Sequence, residues 1–356
     1  MLFDFSHLVI VGGFIHRLDP ILGQFAGFYL WWYGLCYSAG FLGMFLFLRR
    51  VRQPLGLTLS QVYSLTIFFA LGLLLGARLV EVLFYEWPYY REHPWHIPAL
   101  WLGGMSTHGV LLGSTVGTWL FCRRHGKPFL RIADALVIPG AFFMGIGRIG
   151  NFIDGQIVGR LTDVWWGVQF PDAEGFRHPV VLYDGLKNFL LIPWLLYVRQ
   201  RRPAPGTVLA HFVFWYGFLR IFADLFRHYE TSLLGLATGQ SFNLFMSLLG
   251  AALLIWFRRK AGGPAGGEVA EAAAGSESEP PARLWAQRIV FAAILLFSLT
   301  LPSDRTQDIP ARYAKRHPGL RYSLLYPRLE PSALLNTPAA EETKPPQEQS
   351  DSPPER

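Results

Sequence analysis

The sequence predicts an all-α polytopic membrane protein of seven transmembrane helices, with a candidate eighth, its N-terminus outside and a small periplasmic head. Three observations carry this expectation. Of the 356 residues, 51% are hydrophobic and only 16% charged, which is too apolar for an ordinary soluble chain of this length. Apolar stretches close to the roughly 20 residues that a helix needs to cross about 30 Å of hydrocarbon recur along most of the sequence. The basic residues gather at alternate ends of those stretches.

The expected spans are Phe28–Leu48, Val62–Tyr85, Met105–Cys122, Ala133–Phe152, Val181–Val198, Val208–Phe226 and Phe242–Phe257. Thirteen Lys and Arg follow the first, third, fifth and seventh, including Arg49, Arg50, Arg123, Arg124, Arg199 and Arg258. The other ends carry five, Arg17, Arg91, Arg160, Arg177 and Arg227. The positive-inside rule therefore puts the N-terminus outside and the end of the seventh helix in the cytoplasm. The connections Glu86–Gly104, Asp154–Pro179 and His228–Gln240 then lie on the outer face, periplasmic in a bacterium. Their aromatic residues, such as Trp87, Tyr89, Tyr90, Trp95 and Trp101, suit either an interfacial belt or a lipid entrance. Topology accounts for the net charge of +7, and no nucleic-acid partner is expected.

Residues 28–260 form the seven-helix domain on this reading, preceded by an amphipathic arm, 1–27, which lacks the basic start and small-residue cleavage site of a signal peptide. The Gly, Ala, Glu, Ser and Pro of 261–282 predict a disordered linker, and 304–356 a largely disordered tail. Between them 283–303 is apolar again. Its core, Arg288–Leu301, is short for a full span and fits an eighth helix, a re-entrant piece or an interfacial helix. Cys36 and Cys122 read as packing residues; no disulfide framework, metal-ligand spacing or cofactor motif is present.

Charges inside a span cost several kcal/mol unless they are paired or face a cavity, so each marks a candidate site. Five places qualify: Arg78 with Glu81, His108, Arg148 with Asn151, Tyr183 with Asp184, and Arg220 with Asp224. Arg78 and Glu81, three apart, read as a structural pair. Arg148 and Asn151 share one helix face among glycines that permit close approach, with no carboxylate close by in the same helix to neutralise the arginine. A guanidinium there matches phosphate oxygens in two-point contact, although it could also snorkel to the surface. Tyr216, Arg220, Asp224 and Arg227 form one polar stripe on an otherwise apolar helix, in which Arg220 and Asp224 could simply pair. His108, flanked by glycines and hydroxyls at the outer end of the third span, is either a satisfied core histidine or a functional one.

Taken together the motifs resemble the prolipoprotein diacylglyceryl transferase family. The resemblance rests on Trp31-Trp-Tyr-Gly34, the His-Gly segment Gly103 to Gly113, Gly147-Arg-Ile-Gly-Asn-Phe152 with Gly159, Arg177-His-Pro179 with Leu182-Tyr183, Tyr216-Gly-Phe-Leu-Arg220, and Gly239-Gln240. Order and spacing agree from about Tyr29 to Phe257. Departures are Asp154 and Gln156, where the signature continues with Asn and Glu, Val180–Val181 in place of a Ser-Gln pair, Asp184 and Asp224 where glutamates are usual, Leu102 in place of an aspartate, and Asn243 and Phe245 in place of Ser and Pro.

The resemblance implies transfer of a diacylglyceryl group from phosphatidylglycerol to the lipobox cysteine of preprolipoproteins, at the bacterial inner membrane and without a cofactor. It implies as site residues Tyr33, His108, Arg148, Asn151, Gly159, Tyr183, Tyr216, Arg220 and Gln240. Arg148 and Arg220 would hold the phosphoglycerol headgroup, with Asn151 and Tyr33 positioning it and His108 accepting the thiol proton or anchoring the headgroup. A catalytically weakened lipid-binding paralogue and a membrane transporter are the competing expectations.

Overall fold

In a computed structural model, the described residues are 13–227, 232–233, 236–261, 281–303 and 305–329. The chain is mostly helical. Its long helices are α1 (Trp32–Arg50), α2 (Leu59–Val80), α4 (Thr107–His125), α5 (Phe129–Ile153), α6 (Val180–Gln200), α7 (Thr207–Leu225), α8 (Thr238–Ala261) and α9 (Pro281–Ser298), with the short α3 (Trp87–Tyr90) and α10 (Ile309–Tyr313) between and after them. Six are long and apolar enough to cross a membrane: Leu59–Tyr85, in which a π-helical turn at Glu81–Tyr85 extends α2, then Phe129–Ile153, Val180–Gln200, Thr207–Leu225, Gln240–Arg259 and Pro281–Ser298. The candidate eighth segment is thus a full 18-residue helix. Both α1 and α4 are 19 residues long but less apolar, because Trp, Tyr, Gly and hydroxyl residues dilute them.

Local chemistry sets the boundaries. Thr58 and Gln61 form a reciprocal capping box that starts α2, the Thr58 hydroxyl accepting from Gln61 N–H at 3.2 Å and the Gln61 carbonyl from Thr58 N–H at 3.1 Å. Gly126, with φ +60°, ends α4 in the left-handed conformation that a side chain disfavours. The first span begins later than expected. Phe28–Trp31 is strand β3, which pairs antiparallel with β2 (Ile21–Phe25), so the helix starts only at Trp32. Over the described residues 13–27 the arm is loop and turn around two short strands. Its β1 (Phe14–Ile15) runs parallel to β4 (Val168–Gln169), which pairs with β5 (Phe176–Arg177). Before α8, β6 (Ser232–Leu233) pairs with β7 (Leu236–Ala237).

The closest helix pair is α2 with α4, and glycine makes it possible. A Cβ on Gly76 would stand 2.6 Å from both Gly109 O and Gly113 Cα, and one on Gly113 would stand 2.8 Å from Gly76 Cα, so the two backbones touch. The second tight point is between α1 and α5, where a Cβ on Gly150 would meet Tyr33 Cα at 2.8 Å.

One end of the helix bundle carries a head with its own core of Ile21, Tyr29, Trp31, Ala99, Leu102, Ile309, Tyr313 and Tyr326. Three of those residues come from the region 304–356, expected as tail. The described part of it, 305–329, is folded against the head because Tyr313 and Tyr326 have apolar walls to fill; residues 330–356, like most of the linker, lie outside the described residues. Arg78 organises the loop after α2. Its guanidinium donates to the carbonyls of Ile97 (2.7 Å), His96 (2.6 Å), Ala99 (3.3 Å), Gly103 (2.5 Å) and Gly104 (3.1 Å), in and around two short 3₁₀ turns. Tyr89 and Tyr90 are buried inside this head, whereas Trp87 and Trp95 face outward.

Gly113→Val is expected to lower the stability of the bundle by at least about 1–3 kcal/mol, as overpacking against backbone does. Thermal unfolding in detergent checks this, with Gly140→Ala, which points into open space, expected to keep the wild-type midpoint.

Candidate active site

Helices α5 and α7 run parallel, tied near their starts by a cap. The Asp134 carboxylate accepts the N–H groups of Gly206 and Leu209, each at 2.7 Å, and so satisfies the free N-terminal donors of α7 from inside α5. The same two helices carry the arginines of the sequence motifs near their C-terminal ends, Arg148 on α5 and Arg220 on α7. The start of α6, running the other way, delivers Asp184 between them.

Asp184 is the hub. Its Oδ2 accepts from Arg148 Nε at 2.6 Å and from Arg220 Nη1, and its Oδ1 faces Lys187 Nζ at 3.0 Å. Arg220 Nε also pairs with Asp224 Oδ1 at 3.0 Å, one turn on, and Asn243 of α8 donates its amide to Asp224 Oδ2 at 2.7 Å. Arg148 Nη1 donates to Asn151 Oδ1 at 3.0 Å. Lys187 completes the group, donating to Asn188 Oδ1 at 2.8 Å and lying 3.7 Å from the centre of the Tyr216 ring. Asp184 and Asp224 are each only 2% exposed at the side chain, against 16% for Arg148 and 13% for Arg220. Three cations thus face two carboxylates. The cluster carries a net charge of +1, and its two arginines are its most exposed members.

That hollow is lined by Arg148, Ile157, Val180, Asp184, Arg220 and Arg227, among others, and holds about 10 Å³, room for roughly one water. The carboxylate on α5, Asp134, is fourteen residues from Arg148 and is spent on the start of α7, so the counter-ion of Arg148 comes from α6 instead. Arg220 does pair with Asp224, as its spacing allowed, but it is shared with Asp184.

The remaining candidates separate. Arg148, Asn151, Arg220 and Tyr216 belong to one connected cluster. Tyr33 packs behind it against Gly150, its hydroxyl donating to Tyr37 at 3.1 Å. Tyr183 turns away into the head, where its hydroxyl accepts from Trp166 Nε1 at 2.7 Å and meets His178 Nδ1 at 3.1 Å. Gly159 is structural: a Cβ there would lie 2.8 Å from Phe226 O, and its carbonyl accepts from Arg177 at 3.1 Å. His108 is outside the hollow. It is exposed in the first turn of α4, with Nδ1 3.0 Å from the Tyr85 hydroxyl and its ring edge-on to Phe242 of α8. Gln240, in the first turn of α8, is half-buried and does not line the hollow either. Lys187 was overlooked, although a lysine three residues after an aspartate inside an apolar run is a readable signal.

Residues 20–256, which include every member of this cluster, match the family model for prolipoprotein diacylglyceryl transferase. The chain belongs to that family. Among the members, an enzyme of Nitrosomonas europaea named phosphatidylglycerol–prolipoprotein diacylglyceryl transferase is 38% identical over 259 residues, spanning 70% of this chain and 93% of its own length. Enzymes of the same name from Legionella pneumophila strain Corby and Geobacter sulfurreducens are each 36% identical over 256 residues, covering 68% and 70% of this chain and 98% of their own. The transferase match stops short of the end of α8, so α9 and the head residues after it lie beyond it.

Asp184→Asn is expected to cost about 3–5 kcal/mol, because it leaves three close cations against a single carboxylate. Thermal unfolding of the purified protein checks this, with the exposed Asp172→Asn expected to be silent.

Proposed function

We propose that this transferase binds the phosphate of phosphatidylglycerol between Arg148 and Arg220 and passes the lipid's diacylglyceryl group to the cysteine thiol of a prolipoprotein. The supporting observation is that two guanidinium groups from different helices share one carboxylate oxygen, Asp184 Oδ2, at the wall of a common hollow. An arriving phosphate offers Arg148 a second anionic partner and Arg220 a third, and one negative charge balances the surplus of +1. In the reaction the thiolate sulfur forms a bond to the glycerol carbon, the bond from that carbon to the phosphate oxygen breaks, and glycerol phosphate leaves. Charge grows on the leaving oxygen, where fixed donors in a water-poor site help most. Asn151, held by Arg148, orients that guanidinium, and Lys187 stands behind Asp184 as a further positive charge.

The thiol must lose a proton, having an ordinary pKa of about 8.5. His108 is our candidate acceptor on chemistry alone, since an imidazole nitrogen can take up a proton; it would meet the thiol on the α4 side of the α8 start. Tyr33, Gly159, Tyr183 and Gln240 serve in this reading as the walls and supports of the substrate path. The remaining placement follows from charge asymmetry: α1, α2 and α4 to α8 cross the bacterial inner membrane with the N-terminus outside, α9 adds an eighth crossing, and the head faces the periplasm, where preprolipoprotein signal peptides present their cysteine.

Complementation of a strain depleted of its own transferase, with mass measurement of a reporter lipoprotein, tests the function: a thioether-linked diacylglycerol on the reporter is expected. Arg148→Ala should insert normally and yield none, and Arg148→Lys should fall by at least about 10²-fold, because an ammonium cannot make the two-point contact. Unchanged turnover in the lysine variant would sink the role given to the guanidinium.

A further inference from the structure

The residues after α8 lie beyond the family match, yet their described part is bound into the head at several independent points. The hydroxyl of Ser38 donates to Leu295 O of α9 at 2.6 Å, and Trp31 N–H to Leu299 O at 2.8 Å. A Cβ on Gly34 would stand 2.6 Å from Leu299 O, so α9 ends directly on the first turn of α1. Further on, Gln307 N–H donates to Leu102 O at 3.1 Å, the Thr306 hydroxyl meets that of Tyr90, and His317 Nδ1 lies 2.6 Å from Asp19 Oδ2. Together 299–303 and 305–329 make a strap across the outer side of the bundle.

Where the strap crosses the end of α5 it grips a single residue from two sides. Ser303 brings both its N–H, at 3.3 Å, and its hydroxyl to the Asp154 carboxylate. Arg316 Nη1 donates to the Asp154 main-chain carbonyl at 2.9 Å, and Arg312 Nη2 reaches Gln156 Oε1 at 3.4 Å. Asp154 caps the C-terminus of α5 and is 2% exposed. The carbonyls of the last turn, Gly150, Asn151 and Phe152, accept from the N–H groups of Asp154, Gln156 and Gly155, so whatever holds 154–156 holds that turn. Here that turn contains Asn151, whose side chain holds Arg148.

We infer that Ser303 and Arg316 are positioning residues for the transfer reaction: through Asp154 they fix the outer turn of α5 and so aim Arg148 and Asn151 at the lipid headgroup. The inference rests on the reading of Arg148 as the headgroup ligand. It assigns to a segment outside the family match a part in the site that the match contains. Ser303 and Arg316 touch no substrate; the strap's anchors on Tyr90, Leu102 and Asp19 keep them in place from the far side.

The test uses the full chain in vesicles of phosphatidylglycerol and a neutral lipid, with a synthetic lipobox peptide as acceptor. In Ser303→Ala/Arg316→Met, kcat/KM for phosphatidylglycerol should fall by about tenfold, within the range that a misplacement of about 1 Å produces. KM for phosphatidylglycerol should rise while KM for the peptide stays put, and Ser303→Thr should retain wild-type behaviour. Amide hydrogen exchange at Asn151–Gln156, which needs no turnover, should accelerate in the double variant and not in the exposed-position control Arg321→Ala. Unchanged exchange together with unchanged kinetics overturns the inference, as does a loss confined to the amount of inserted protein with both KM values unaltered. A wild-type chain that transfers nothing would strike the proposed function instead, and the exchange measurement would still decide whether the strap holds the turn.

Discussion

One carboxylate organises the site. Asp184 accepts from α5 and α7 through a single oxygen and faces Lys187 through the other, so three helices meet on it in surroundings that exclude water. Isolated charges would be untenable there, and a fully compensated set would have nothing left to offer a ligand. The arrangement found is between those limits, with a single positive charge in excess and both arginines on the accessible side. The Asp134 cap, the Asn243 amide on Asp224 and the Gly150 contact with Tyr33 hold the neighbouring helices around this shared oxygen.

The helices were readable because lipid is an unforgiving solvent: an apolar run bounded by arginines has few alternatives to a helix. Their ends were less so. Phe28–Trp31 is as apolar as the helix it precedes, and only its pairing with Ile21–Phe25, a contact across a turn, makes it a strand. The region after Ser303 reads as tail because Pro and Gly punctuate it, yet Tyr313 and Tyr326, spaced without period, are what fasten it to the head. Tertiary partners settle such segments, and composition does not contain them.

The site divides in the same way. Arg148, Asn151 and Arg220 stood out because guanidinium groups in a span demand an explanation, and the structure gathers them. Asp184 was noticed only beside Tyr183, and its place between two arginines depends on helix packing that no single-helix pattern encodes. Tyr183 itself, one residue away, faces the opposite direction, since neighbours on a helix are about 100° apart. His108 shows the converse limit. Its glycine-flanked setting is distinctive in sequence, and the fold places it on the flank of α4, against Tyr85 and Phe242 rather than in the arginine hollow.

The Asp134 cap has a wider meaning for how the enzyme opens. With α5 and α7 fastened near one end by hydrogen bonds to a cap and near the other by a common counter-ion, they behave like two posts braced at top and bottom. Spreading them would break both ties at once. The width of the hollow between these two helices is thereby fixed, and its other wall, at Ile157 and Val180, comes from the segment after α5 and the start of α6.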